Sequence, residues 1–226
     1  MGNSILLFLF VLLLFSLLRA SILLTARQQG RQILAFGDSL THGMVITDDP
    51  DSWKNCNHPF SLRLETLSNI TVQERGVSGE PTSIMVERLP TELKSYADRG
   101  ISFGVVTILG GTNDLGAHKP AGEIFHNLMH LHKEVHKFDS ECITVALTIP
   151  DLSWPNINHS ARFEINRRLR EFSFARKKSI VLVDLETVFD LKKNESRTLF
   201  SKDTTHLSEF GYDTVGELIF AALNKM

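Results

Sequence analysis

Residues Ile33–Leu40 read ILAFGDSL, an apolar run that ends in a glycine, an aspartate and a serine. A short apolar run that ends in turn residues is typical of a buried strand. Similar runs recur along the chain and alternate with longer segments of helical period, which indicates a parallel sheet. The runs interpreted as strands are Ile33–Phe36, Ile70–Glu74, Val105–Leu109, Ile143–Ile149 and Ile180–Val183. The sequence therefore predicts an α/β fold with a five-stranded parallel sheet.

Apolar residues at helical spacing predict helices that cover this sheet. The clearest stripe consists of Ile124, Leu128, Leu131 and Val135. A last helix is expected to begin after Ser208, because serine commonly caps helix N-termini. Pro90 is expected to split the second helical region, because proline lacks an N–H and clashes with the preceding turn.

The N-terminal residues 1–26 are set apart by their apolarity. Every residue of Ile5–Phe15 is apolar, a length that fits a signal-peptide core, and residues 5–24 together approach the length of a membrane span. Two interpretations stay open: cleavage with secretion, which is favoured, and retention as a membrane anchor. Arg19, Arg27 and Arg31 would place the following domain in the cytosol if the segment were retained.

Residues 32–226 are enough for one compact domain with a sizeable core. The 24 basic and 26 acidic side chains give a formal charge of −2, so no global field attracts nucleic acid or an anionic membrane. We expect small-molecule partners, and the oligomeric state is left open. The basic run at Arg167, Arg168 and Arg170 is interpreted as a solvated helix face.

Two other features bear on the cellular compartment. Sequons at Asn69, Asn158 and Asn194 agree with a luminal or extracellular domain. Cys56 and Cys142 are either a disulfide pair or two unrelated free thiols. The cysteines therefore do not decide between an oxidising and a reducing compartment.

Ser39 follows the first predicted strand and is the candidate nucleophile. A nucleophilic serine needs an exposed place on a tight turn, a nearby base and donors for the oxyanion. Near the other end of the chain, Asp203 and His206 lie three residues apart before the last helix. A single turn of the chain would bring them into contact. Asp203 could then orient the imidazole of His206 through one ring nitrogen, while the other ring nitrogen takes the proton of Ser39.

The stretch Gly76-Val77-Ser78-Gly79 follows the second predicted strand and Asn113 follows the third, and both are candidate sources of oxyanion donors. Ligand sites of open parallel sheets gather at these strand ends. Taken singly, each of these residues is more often a turn or cap residue. Together, because each lies at a predicted strand end or before the last helix, they favour catalysis.

The ordered blocks resemble those of the SGNH (GDSL) hydrolase family over nearly all of residues 32–223. The matching residues are Gly37-Asp38-Ser39-Leu40, Gly79, Gly111-Thr112-Asn113-Asp114 and Asp203-x-x-His206. The resemblance implies a flavodoxin-like three-layer sandwich and an SGNH-type esterase domain over residues 32–226. It also implies that Ser39 is the nucleophile, His206 the base and Asp203 its orienting group, with the oxyanion hole formed by Ser39 N–H, Gly79 N–H and Asn113.

Three residues depart from the pattern of the family. Arg75 stands in a place often held by asparagine, Pro81 interrupts the run after Gly79, and His42 occupies a position that is frequently acidic or small. The first two bear on the shape of the loop that carries Gly79. His42 is a candidate for shaping the pocket entrance.

The implied activity is hydrolysis of a small-molecule, lipid or carbohydrate ester through an acyl-enzyme, a reaction that needs no metal or organic cofactor. Two alternatives stay open: acyl transfer from the same acyl-enzyme to another alcohol, and a non-catalytic domain that holds a lipid or glycan. The acyl length and the alcohol are not determined by the sequence.

Three further features have both a functional and a structural interpretation. His126 with His130, and His132 with His136, have a spacing that suits a metal on a helix, but the first pair is expected opposite the core and the second on its flank. A solvated face is therefore the favoured interpretation of both pairs. Trp154 and Pro155 either line the acyl pocket or anchor a loop.

Overall fold

The computed structural model describes residues 22–49, 57–154 and 157–225. Its strands are β1 (Gln32–Gly37), β2 (Val72–Gly76), β3 (Phe103–Leu109), β4 (Ile143–Leu147) and β5 (Ile180–Val183). Its helices are α1 (Ile22–Gln28), α2 (Ser39–His42), α3 (Phe60–Ser68), α4 (Thr82–Asp98), α5 (Thr112–Gly116), α6 (Ala121–Phe138), α7 (His159–Ala175) and α8 (Glu209–Leu223). Two 3₁₀ segments, Leu185–Thr187 and Asn194–Leu199, lie between β5 and α8.

The five strands form one parallel sheet in the order β2-β1-β3-β4-β5. This order is that of flavodoxin-like sheets, in which the chain reverses its direction of winding between β1 and β3. The prediction of a five-stranded parallel sheet is confirmed. The carboxyl ends of β1, β2 and β3 meet at one edge, where the crevice of such sheets opens.

Helices cover both faces of the sheet and make three layers. Alternation along β1 sends Ile33 and Ala35 to one face, under α1, α3 and α8, and Leu34 and Phe36 to the other, under α4, α6 and α7. Two apolar cores result, one on each side of the strands. The predicted stripe of α6 is buried throughout, and Ser208 caps α8 by accepting the N–H of Gly211 at 3.1 Å.

Pro90 does not split the second helical region, and that prediction is wrong. Helix α4 runs without a break from Thr82 to Asp98 with Pro90 inside it. The proline lies on the exposed side of the helix, while Leu89 and Leu93 on either side of it are buried against the sheet. A helix-interior proline costs about 3 kcal/mol, and burial of these neighbouring side chains, at roughly 1.5–3 kcal/mol each, offsets that cost.

The predictions for the N-terminal segment fall largely outside the described residues, which begin at Ile22. The last residues of that segment lie in α1, where Leu23 and Ala26 are buried against the sheet. Among the described helices, none combines the length and apolarity that a membrane span requires.

The side chains that bear on the compartment are only partly described. The three sequon asparagines, Asn69, Asn158 and Asn194, are exposed. Cys142 is a buried free thiol, and Cys56 lies outside the described residues.

Candidate active site

The turn after β1 brings Ser39 to the carboxyl edge of the sheet. Asp38 caps the short helix α2 by accepting the N–H of Leu40 at 2.9 Å. Gly37 permits the tight turn, because a Cβ there would lie 2.2 Å from Thr41 Oγ1 and 2.3 Å from the carbonyl oxygen of Leu109. Only glycine allows the backbone to approach so closely.

The loop before α8 holds Asp203 and His206 one turn apart, as the sequence predicts. Oδ1 of Asp203 accepts the backbone N–H of Thr205 at 3.2 Å and that of His206 at 3.0 Å. An antiparallel bridge between Phe200 and Leu207 closes the base of the loop. The carboxyl group of Asp203 therefore both shapes the turn and faces the imidazole.

The structure brings the three predicted catalytic side chains into one hydrogen-bonded row. Asp203 Oδ2 lies 2.6 Å from His206 Nδ1, and His206 Nε2 lies 3.0 Å from Ser39 Oγ. Because an ionised carboxylate can only accept, Nδ1 carries the proton, and Nε2 accepts from the serine hydroxyl. This arrangement suits removal of the Ser39 proton during nucleophilic attack.

The electrostatics of Asp203 favour its ionised form. Partial burial acts to raise its pKa, but the hydrogen bond and charge of His206, together with the two backbone N–H groups, outweigh burial and hold the pKa below its usual value. The carboxylate is therefore available to stabilise an imidazolium as it forms on His206.

The three predicted oxyanion donors lie at the same edge. Ser39 opens α2, so its N–H has no partner within that helix. The loop that carries Gly79 is fastened to the end of β1 by the bond from Val77 N–H to the Gly37 carbonyl at 3.0 Å, and Gly79 itself has a φ of 80°. Asn113 Nδ2 lies 3.1 Å from the carbonyl oxygen of Glu80 and 3.5 Å from Asp38 Oδ2.

Asp38 is a fully buried carboxyl group directly beside the candidate nucleophile. Burial raises its pKa to about 7, with Asp114 and Glu80 adding to the effect, while the N–H of Leu40 and the charge of His206 oppose it. The folded protein therefore holds a proton on Asp38 at pH values where the unfolded chain has released it.

This shift predicts a pH-dependent stability change in Asp38→Asn. Since the unfolded carboxyl titrates near pH ~4, the native protein loses stability as the pH rises from about 4 to about 7, and asparagine removes that loss. The offset in Tm, variant minus native protein, should therefore be several degrees larger at pH 8 than at pH 5, because about 1 kcal/mol moves the Tm of such a domain by roughly 2–4 °C. Differential scanning fluorimetry measures both offsets.

The matched control for this experiment is Asp98→Asn, which alters an exposed carboxyl group of α4. Its offset in Tm is expected to stay nearly constant between the two pH values. An Asp38→Asn offset that is equally constant would show that Asp38 is ionised throughout the range.

Behind these donors lie buried polar side chains to which the sequence assigned no catalytic role. Asp114 accepts the N–H of Thr82 at 2.9 Å and its hydroxyl at 2.8 Å, which ties α5 to the start of α4. Glu80 is also buried and is paired with Arg88. Asp114 belongs to a recognisable block, whereas Arg88 has no local motif that would have pointed to it.

The interpretation of His132 as part of a solvated face is wrong. Its side chain is buried between α6 and β4, with Nδ1 2.8 Å from Thr144 Oγ1, and burial lowers its pKa to about 3. The neutral ring serves as a polar core residue. Within the described parts of the chain, no group of three or more His, Cys, Asp or Glu side chains could hold a metal ion.

The basic residues of α7, Trp154 and His42 also have defined contacts. Arg167 and Arg168 pair with Glu171 and Glu164 along α7, and Arg170 pairs with Asp184 and Glu186. Trp154 packs against Gly116 of α5, while Pro155 lies outside the described residues. His42 Nε2 lies 2.8 Å from Asn57 Nδ2.

Comparison with known proteins gives a family and a set of similar folds. The model of the GDSL-like lipase/acylhydrolase family matches residues 35–214. A search of curated proteins gave no match. A lipase/acylhydrolase from Enterococcus faecalis is 20% identical, with a TM-score of 0.68, and the match covers 86% of this chain and 96% of that one.

Two further solved structures are similar. A lipolytic G-D-S-L family protein from Veillonella parvula is 15% identical, with a TM-score of 0.68 and coverage of 87% of this chain and 100% of the other. A family 3 carbohydrate esterase from Clostridium thermocellum is 18% identical, with a TM-score of 0.61 and coverage of 85% and 94%. At these identities the structural likeness establishes the fold.

Proposed function

Because the chain belongs to the GDSL-like lipase/acylhydrolase family, we propose that it is a serine esterase that works through an acyl-enzyme. The observation that carries the proposal is the row from Asp203 through His206 to Ser39, with separations of 2.6 Å and 3.0 Å. Residues 167 positions apart in the chain meet at the distances that proton transfer requires.

In the proposed reaction, Ser39 Oγ attacks the ester carbonyl carbon while His206 Nε2 takes the hydroxyl proton. The carbonyl oxygen becomes an oxyanion held by the N–H groups of Ser39 and Gly79 and by Asn113 Nδ2. When the bond to the alcohol breaks, His206 returns the proton to the leaving oxygen. Water then attacks the acyl-enzyme, again with His206 as base, and releases the acid and free Ser39.

The reacting group of the substrate follows from this chemistry, and its substituents do not. The row of Asp203, His206 and Ser39 activates a hydroxyl for attack on a carbonyl carbon, which suits carboxylic esters of small molecules, lipids or carbohydrates. Among the similar structures, one is named a lipase/acylhydrolase and another a carbohydrate esterase. The ester is therefore the substrate class that we propose.

The test is turnover of p-nitrophenyl esters of increasing acyl length by purified protein, with and without an added acceptor alcohol. We expect p-nitrophenol and free acid in equal amounts, at a rate many orders of magnitude above the buffer reaction, since enzymes accelerate reactions by about 10⁶-fold or more. Transfer products that exceed free acid at modest acceptor concentration would identify an acyltransferase. No turnover of any ester would contradict the proposal and favour a binding domain.

A further inference from the structure

We propose that Arg88, acting through Glu80, is a positioning residue for the oxyanion donors Gly79 and Asn113. The inference rests on the proposed function, because it assigns Arg88 a role in that same site. Arg88 lies on α4, outside every motif of the sequence, and its side chain is only 17% exposed. Its contacts join three chain segments that carry the site.

The first contact is a nearly buried ion pair. Arg88 Nε lies 2.8 Å from Glu80 Oε1, and Nη2 lies 2.5 Å from Oε2, with 4% of the Glu80 side chain exposed. The two parallel bonds fix both the distance and the plane of the carboxylate. Removing either partner leaves the other charge buried and uncompensated, which destabilises the local structure.

The same guanidinium holds the ends of two strands. Nη1 donates to the carbonyl oxygen of Arg75 in β2, and Nη2 donates to that of Gly37 in β1, each at 3.2 Å. The guanidinium carbon also lies 4.1 Å from the ring centroid of Phe36. Lysine has a single nitrogen and no planar fork, so it cannot reproduce this set of contacts.

Glu80 transmits this position to both donors. It directly follows Gly79 in the chain, and its carbonyl oxygen accepts the Asn113 Nδ2 hydrogen bond at 3.1 Å. A carbonyl can only accept, so this bond turns the amino group of Asn113, rather than its amide oxygen, toward Glu80. A shift of the Glu80 backbone therefore moves one donor and frees the orientation of the other.

A small displacement of the oxyanion donors should have a large effect on the rate. A misplacement of about 1 Å near reacting atoms costs on the order of a hundredfold in rate. Oxyanion donors act on charge that develops only in the transition state, so their displacement lowers kcat and kcat/KM together and leaves KM nearly unchanged. An ion pair that served stability alone would instead lower Tm without this kinetic signature.

The experiment compares Arg88→Gln, Arg88→Lys and Glu80→Gln with Arg63→Gln in ester hydrolysis. The control removes the ion pair between Arg63 of α3 and Glu217 of α8, which shares no partner with Arg88. We expect kcat to fall roughly 10- to 100-fold in Arg88→Gln and Glu80→Gln. Arg88→Lys, which keeps the charge, should fall less. The control should stay within about twofold of native protein, because its exposed partners belong to α3 and α8 and not to the segments that hold Glu80.

A double-mutant cycle with Asn113→Ala separates positioning from stability. In the Asn113→Ala background we expect Arg88→Gln to cost much less than it costs in native protein, because one of the donors that Arg88 positions is already absent. Equal costs in the two backgrounds, or an equal loss in Arg63→Gln, would overturn the inference while leaving the esterase proposal intact. If Arg88→Gln does not fold, Arg88→Lys is carried through the same cycle.

Failure of the esterase proposal and failure of the Arg88 inference give different results. Native protein without ester turnover would remove the esterase proposal, and the role of Arg88 would fall with it. Native turnover with additive Arg88 and Asn113 losses removes only the role of Arg88.

Discussion

Ser39→Ala is expected to lower kcat for p-nitrophenyl acetate by about 10⁶-fold, the scale seen when a triad nucleophile is removed. The reason is that no other hydroxyl stands 3.0 Å from His206 Nε2 within the described residues. A residual rate above buffer is also expected, because oxyanion donors and binding alone still accelerate the reaction by roughly 10³–10⁴-fold. Initial rates of purified native and variant protein measure the loss.

The matched control is Ser78→Ala, which alters an exposed serine in the loop that carries Gly79. It should hydrolyse the ester at close to the native rate. If Ser39→Ala retained the native rate while Ser78→Ala or another serine variant lost it, the assignment of the nucleophile would be wrong.

Asp203→Asn is expected to lower kcat by about 10⁴-fold. An asparagine can keep its Oδ1 bonds to the N–H groups of Thr205 and His206, so the loop should hold its shape. Its amino group would then face His206 Nδ1, which must accept instead of donate, and the proton moves to Nε2. The ring nitrogen that faces Ser39 can no longer act as base.

Another histidine–carboxylate pair of the chain provides the control for this prediction. His58 Nε2 lies 2.9 Å from Asp213 Oδ1, and Asp213→Asn disturbs that bond without changing the row at Ser39. Near-native activity is expected for Asp213→Asn. An Asp203→Asn protein with comparable activity would mean that the carboxylate does not set the tautomer of His206.

Much of the fold could be predicted because parallel strands and amphipathic helices leave strong periodic signals. Strand β3 is buried throughout and polar only at Thr107, and the stripe of α6 repeats at helical spacing. Boundaries were less accurate where polar residues continue a strand: β2 runs to Gly76, two residues beyond the predicted end. The continuity of α4 through Pro90 depends on burial of its neighbours, which a local proline rule does not include.

The site divides in the same way. Ser39, Gly79, Asn113, Asp203 and His206 belong to blocks whose spacing is local. The parallel topology brings together the strand ends that precede the first three, and Asp203 and His206 reach them from the loop before α8. Glu80 and Arg88 form an ion pair, and Arg88 also bonds to the carbonyl oxygen of Gly37 at the end of β1. That contact joins residues far apart in the chain, so no sequence spacing predicts it. His132 likewise faces Thr144 across the layer between helix and sheet, so an apolar count along α6 alone misplaced it.

Covalent labelling reports directly on whether Ser39 is an activated nucleophile. Folded native protein is treated with a serine-directed fluorophosphonate, and the modified peptide is identified by mass spectrometry. We predict one adduct, on Ser39, that forms in step with loss of ester turnover and forms far more slowly in Asp203→Asn. An active protein that loses turnover while Ser39 stays unmodified would contradict the account.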